Sequence, residues 1–136
     1  VIFQNEYVPL PEELILEEGI MTEWGDYLLE VTKRDIKESS RENGKIIFLG
    51  DKTNIKVRSR KEGDRIYLKN LGYKKIKKIL IDEKIEKKER ERIPVIELDN
   101  EIAAIGDIKI SGKLELSRNA VSKEQMKLII RRKNAK

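Results

Sequence analysis

KVRSRKEGDRIYLKNLGYKKIKKILIDEKIEKKERERIP, from Lys56 to Pro94, changes its periodicity as it runs, and the fold is decided by how those changes are read. Lys56-Val57-Arg58-Ser59-Arg60 alternates polar and apolar, which predicts a half-exposed strand with Arg58 and Arg60 on one face. Lys61-Glu62-Gly63-Asp64 then reads as a turn, since Gly63 accepts positive φ and Asp64 can bond its own backbone. Arg65-Ile66-Tyr67-Leu68 returns as a short strand. From Tyr73 to Lys84 the period becomes helical. Tyr73, Ile76, Ile79 and Leu80 fall on one side of the wheel, with Lys74 and Lys78 opposite and Lys75 and Lys77 at their flanks. A short charged helix follows, and Pro94 bars any helix from continuing past Ile93.

The same stretch concentrates charge. It holds 15 of the 30 Lys and Arg residues against seven acids, a balance of +8. Residues 1–55 carry six basic and twelve acidic side chains, or −6, and residues 95–136 carry nine and six, or +3. The net +5 therefore conceals a strongly basic segment beside an acidic flank, the pattern of a polyanion-binding surface. A lysine-rich helix face alone is an ordinary solvated face. The arginines around a Gly-Asp turn add planar, bidentate donors suited to phosphate. The candidate contacts to a phosphate-bearing polyanion are Arg58, Arg60, Lys61, Arg65, Lys74, Lys75, Lys77 and Lys78.

Outside this stretch the chain reads as short strands. Residues 1–23 mix Phe3, Tyr7, Val8, Leu10, Leu14, Ile15, Leu16 and Ile20 with Pro9 and Pro11, which predicts extended segments and a turn at Gly19. Glu12, Glu13, Glu17 and Glu18 read as solvating acids. Tyr27 to Lys33 has strand composition, with Tyr27, Leu29 and Val31 on one face. Asp35 to Gly44 reads as a polar connection, and Lys45 to Leu49 as a buried strand. Trp24, the one tryptophan, is expected to anchor the core. After Pro94 come Val95–Leu98, a turn at Asp99-Asn100, Ile102–Ile105 and Ile108–Ile110. Leu114–Leu116 is expected to extend the sheet. Met126 to Arg131 gives a final strand, with Arg131-Arg132-Lys133 as a frayed basic tail. The fold class is α+β with a sheet or sandwich core, one basic amphipathic helix and a short second helix. Residues 1–55 are expected to form an acidic, β-rich part of the same domain as the 56–136 core.

Composition excludes several chemistries. With no Cys and no His there is no disulfide, no thiolate or imidazole metal ligand, and no Ser-His or Cys-His nucleophile. No catalytic or metal-ligating residue is assigned. No Gly-Gly pair or other phosphate loop occurs, and Ser111-Gly112-Lys113 does not replace one. No apolar run reaches 18 residues, so no membrane partner is expected. Val1 stands where an initiator Met would, so a cut point inside a longer protein is expected.

RSRKEGDRI (Arg58–Ile66), KKIKKILIDEKI (Lys74–Ile85), KERERIPVI (Lys88–Ile96) and GDIKIS (Gly106–Ser111) together resemble, in order and spacing, the C-terminal domain of bacterial tRNA(Ile)-lysidine synthetases. Glu62 and Glu86 depart from the pattern where proline is common, and Ala103-Ala104 where the family often has tryptophan. The resemblance implies a β-sandwich of unusual topology, shared in outline with a tRNA-binding domain of a phenylalanyl-tRNA synthetase subunit. It implies a cytoplasmic parent enzyme whose separate catalytic domain uses ATP and lysine to convert the wobble cytidine of tRNA(Ile) to lysidine. This part would be non-catalytic and free of cofactors, with tRNA(Ile) and that catalytic domain as partners, gripping the tRNA at the acceptor stem. The residues alone leave two alternatives open: a stand-alone RNA-binding module, or a protein-interaction domain for an acidic partner.

Overall fold

A computed structural model describes residues 9–33, 44–50, 54–115 and 126–133. Phe3, Tyr7, Val8, the connection from Asp35 to Asn43, and Leu116 lie outside these residues. Among the described residues, eleven strands and three short helices follow one another as β1 (Glu13–Ile15), β2 (Met21–Trp24), β3 (Tyr27–Thr32), β4 (Gly44–Phe48), β5 (Ile55–Arg58), β6 (Arg65–Leu68), β7 (Gly72–Lys75), α1 (Ile76–Asp82), α2 (Lys87–Arg90), β8 (Val95–Leu98), β9 (Glu101–Ile105), β10 (Lys109–Ile110), α3 (Gly112–Glu115) and β11 (Lys127–Arg132).

Two sheets form the sandwich. One has the order β1-β5-β8-β9-β10 and the other β2-β3-β11-β4; β6 and β7 make a separate two-stranded ribbon. Both large sheets take strands from before and after residue 55. The last strand, β11, sits between β3 and β4 and pairs antiparallel with each. Its side chains are buried on both faces, with Lys127, Leu128, Ile129 and Ile130 all at 6% exposure or less.

Period-two alternation explains the main core. Leu29 and Val31 of β3, Ile47 of β4 and Leu128 and Ile130 of β11 face Val57 of β5, Ile96 and Leu98 of β8, and Ala104 of β9. Trp24 is fully buried in this cluster, as its role of core anchor requires. Ala103 and Ala104 are buried there too. Burial of each large aliphatic side chain contributes roughly 1.5–3 kcal/mol before entropic costs.

The five-stranded sheet also carries a second core on its other face. Val95 and Ile105 are cross-strand partners and pack with Ile66 of β6, Ile76, Ile79 and Leu80 of α1, and Ile93. The order is thus sheet, core, sheet, core, then the β6–β7 ribbon with α1. This outermost layer is built from the basic stretch.

Four expectations are corrected. The helix begins at Ile76, not Tyr73, because Asn70 (φ 69°) and Gly72 (φ 82°) turn the chain back and set Tyr73 opposite Tyr67 in a hairpin. Strand β5 stops at Arg58, so Arg60 does not share a strand face with it. Gly112–Glu115 forms a helical turn rather than more sheet, with the Leu114 amide donating to the Ser111 carbonyl. Residues 131–133 are not frayed. Arg131 and Arg132 complete β11, Arg132 is paired with Asp107, and the Lys133 amide donates to the Asp26 carbonyl.

Candidate nucleic-acid interface

The basic stretch is folded around the turn at residues 61–64. The Asp64 amide donates to the Lys61 carbonyl, and the Asp64 carboxylate accepts the Lys61 amide at 2.7 Å. Gly63 takes φ 88°, which a side-chain-bearing residue adopts only with strain. The Asp64 carbonyl in turn accepts the Ile76 amide at 3.0 Å, tying the start of α1 to the start of β6. Lys61, Arg65, Lys75, Lys77 and Lys78 all lie within three residues of one end of that bond.

Arg58 holds the assembly from inside. Its Nη1 and Nη2 donate to the two Asp64 carboxylate oxygens at 2.8 and 3.1 Å, and its Nε donates to Glu97 at 2.6 Å. Nη1 also reaches the Ser59 carbonyl at 3.0 Å. At 6% exposure Arg58 is buried, contrary to the solvent-facing position expected from strand alternation. The reason is the sheet. Arg58 ends β5 opposite Val95 of β8, where the second layer covers it and only paired charge is tolerated. Burial raises the Asp64 carboxyl, but the Arg58 hydrogen bond, the Lys61 amide and the nearby positive charges outweigh it and leave the group below the ordinary carboxylate range.

The other basic residues divide into tied and open. Arg60 donates Nη2 to Glu91 at 2.9 Å. Lys74 lies on the Ile66 side of the ribbon and pairs with Asp82 at 3.1 Å, so it does not join Lys78 on an outer helix face. Arg65 and Lys75 are direct cross-strand partners and both are exposed. Like charges placed opposite one another destabilise a hairpin. Among the described residues neither has an acidic partner, nor do exposed Lys77 and Lys78 in the first turn of α1. Four cations therefore surround one junction without an ion pair to any described acid, the Asp64 carboxylate there being held by Arg58.

Sequence reasoning missed a second part of this surface. Tyr67 and Tyr73 are cross-strand partners on the same ribbon face as Arg65 and Lys75. Their rings meet edge to face at 5.5 Å between centroids. Lys113 of α3 places its Nζ 5.5 Å from one ring centroid and 5.3 Å from the other. It donates to the Tyr73 hydroxyl at 2.8 Å and to Glu101 at 2.6 Å, while the Tyr73 hydroxyl donates to Glu101 at 3.1 Å. Those two hydrogen bonds raise the Lys113 ammonium well above its ordinary value. The signal was present as YLKNLGY, two tyrosines flanking an Asn and a Gly able to take positive φ.

No group of three or more His, Cys, Asp or Glu among the described residues could hold a metal ion. No helix among them is long and apolar enough to cross a membrane.

The family model described as the TilS substrate C-terminal domain matches residues 55–125, more than half of the chain. A tRNA(Ile)-lysidine synthase of Clostridioides difficile (strain 630) is 42% identical over 77 residues, covering 57% of this chain and 16% of that protein. One of Bacillus subtilis (strain 168) is 36% identical over 91 residues, covering 62% and 19%. One of Bacillus thuringiensis subsp. konkukian is 33% identical over 128 residues, covering 92% and 26%. The chain thus spans between 16% and 26% of these relatives. A crystal structure of a TilS C-terminal domain superposes with a TM-score of 0.63 at 23% identity, covering 94% of this chain and 95% of that one; the fold is the same.

Proposed function

The chain belongs to the TilS substrate C-terminal domain family, and from that premise we propose that it is the non-catalytic, tRNA-gripping part of a tRNA(Ile)-lysidine synthase. The observation that carries this reading is the exposed Arg65–Lys75 pair with Lys77 and Lys78 beside it and no acidic partner among the described residues. Cations so arranged repel one another in the free protein and are relieved by a polyanion. Helical RNA is recognised mainly through phosphates, 2′-hydroxyls and shape, so a rigid charged layer suffices.

In this reading Lys61, Arg65, Lys75, Lys77 and Lys78 make the phosphate contacts, and Arg60 and Lys74 add to them from their ion pairs at the rim. Arg58 acts from within, by fixing Asp64 and hence the turn and the start of α1. The contacts fall on the acceptor stem of tRNA(Ile). A catalytic domain elsewhere in the parent chain uses ATP and lysine to convert the wobble cytidine to lysidine in the cytoplasm, while this part holds no cofactor. A remote grip lowers the entropic cost of presenting the anticodon to that distant site.

Titration of the 136-residue chain with a tRNA(Ile) transcript over a range of salt tests the reading. Five to seven phosphate contacts give a slope of log K against log salt of roughly −3.5 to −6. A slope near zero would mean that this surface does not bind the RNA.

A further inference from the structure

The ribbon β6–β7 presents more than charge. Tyr73 is 53% exposed and Leu71, at the turn, is 77% exposed, although most large apolar side chains of this outer layer are buried. A half-exposed tyrosine ordinarily keeps its ring mobile. Here the Tyr73 hydroxyl is fixed at both capacities, donating to Glu101 and accepting from Lys113, and the ring edge is fixed by Tyr67. The ring is thus open to solvent but locked in one orientation, so a partner stacking on it loses little conformational entropy in the protein. Arg65 and Lys75 set positive charge on the same ribbon face, and Lys113, paired with Glu101 at 2.6 Å, stands at the hydroxyl end of the ring.

The framework holds the ribbon there. An added Cβ on Gly112 would stand 2.6 Å from the Lys69 backbone nitrogen, so α3 presses directly on the ribbon turn, and Lys113 follows from that contact. A phosphate-only surface has no use for an immobilised aromatic. Base stacking on an aromatic ring flanked by cations is how single-stranded nucleic acid is held without sequence preference.

We propose that Tyr73, backed by Tyr67 and flanked by Leu71 and Lys113, is a stacking platform for an unpaired nucleobase, with Lys75 and Arg65 of the same ribbon face contacting the adjoining phosphate. The proposal rests on the tRNA-binding reading and adds to it a site for nucleotides that protrude beyond the helical stem. Every tRNA ends in such an unpaired 3′ segment.

The test compares binding of the 136-residue chain to a tRNA transcript with its 3′ unpaired nucleotides, to the same transcript trimmed flush with the stem, and to a single-stranded tetranucleotide. Wild type should bind the complete transcript about tenfold more tightly than the trimmed one, within the range for one stacked base. Tyr73→Ala should abolish that difference and weaken tetranucleotide binding while leaving the affinity for trimmed RNA unchanged. Tyr73→Phe, which keeps the ring, should retain most of the difference. Equal binding of the two transcripts by wild type, or a difference that survives Tyr73→Ala, overturns the platform and leaves the phosphate grip intact. Failure of wild type to bind either transcript overturns the tRNA reading itself. Tetranucleotide binding sensitive to Tyr73→Ala would then support the platform without it.

Discussion

Arg58 and Asp64 meet in a two-bond ion pair, at 2.8 and 3.1 Å, with side-chain exposures of 7% and 12%. The pair joins the end of β5 to the turn that launches β6, and through the Asp64 carbonyl to the first amide of α1. Arg58 is therefore a positioning residue. Arg58→Ala leaves two carboxylates, Asp64 and Glu97, facing each other without their cation, and should cost about 3 kcal/mol, at the lower edge of the range for broken buried pairs. Urea midpoints of the two proteins measure it. A loss below about 0.5 kcal/mol, the value ordinary for exposed sites, would mean that the pair does not hold the turn.

The same pair should make stability depend on acid. Asp64 and Asp107 both sit below the ordinary carboxylate value in the folded chain, each raised by burial but lowered further by its arginine, Arg58 and Arg132 respectively. A carboxyl with a depressed folded pKa contributes stability that is complete above its unfolded value, about 3.9, and is lost as pH falls through the folded value. Urea midpoints should hold steady from pH 7 to about 5 and drop below about 4. Asp64→Asn should start from a lower midpoint at pH 7 and show a shallower acid decline. A decline as steep as wild type would remove Asp64 from the account.

Binding and folding should separate on the outer layer. Arg65→Ala or Lys75→Ala removes one of two opposed cations, so stability should stay within about 0.5 kcal/mol or rise slightly. Each change should weaken tRNA binding and reduce the magnitude of the salt slope by about 1. Ile79→Ala should do the reverse. Ile79 is 2% exposed in the second core, and its truncation should cost roughly 2–5 kcal/mol with the affinity of the folded fraction preserved. An unchanged salt slope in both cation variants would move the interface elsewhere.

The strands around Asp99-Asn100 were legible because local and tertiary demands agree there. Val95–Leu98 alternates between two cores, and Asp99 and Asn100 both take positive φ, as a tight hairpin turn requires. The start of α1 was not legible for the opposite reason. Tyr73, Ile76, Ile79 and Leu80 satisfy the helical period, so the wheel admits Tyr73, but pairing with Tyr67 across a turn of Asn70 and Gly72 gives its ring a partner a helix would not. Arg58 was misread because alternation assigns a face without saying what covers that face; the cover is a layer formed by residues that follow it. The basic character of the site was visible in composition. Which cations are tied to acids was not, because Glu97 and Glu91 lie more than 30 residues along the chain from Arg58 and Arg60.

The last prediction concerns how α3 holds the ribbon. Gly112 is buried, and a Cβ there would lie 2.6 Å from the Lys69 nitrogen, 3.0 Å from its Cα and 3.1 Å from its Cβ. Two of those atoms are backbone, so no side-chain rotation relieves the clash, and the ribbon turn must move. Gly112→Ala should therefore cost roughly 1–3 kcal/mol, the usual range for overpacking, despite alanine's better helix propensity. The displaced turn carries Leu71 and Gly72, and the shifted α3 carries Lys113, so the hydrogen bonds of the Tyr73 hydroxyl should loosen as well. Amide hydrogen exchange should rise in β6 and β7 while β3 and β11, in the far sheet, keep their protection. Protection unchanged in the ribbon together with an unchanged urea midpoint would show that α3 and the ribbon do not press on one another.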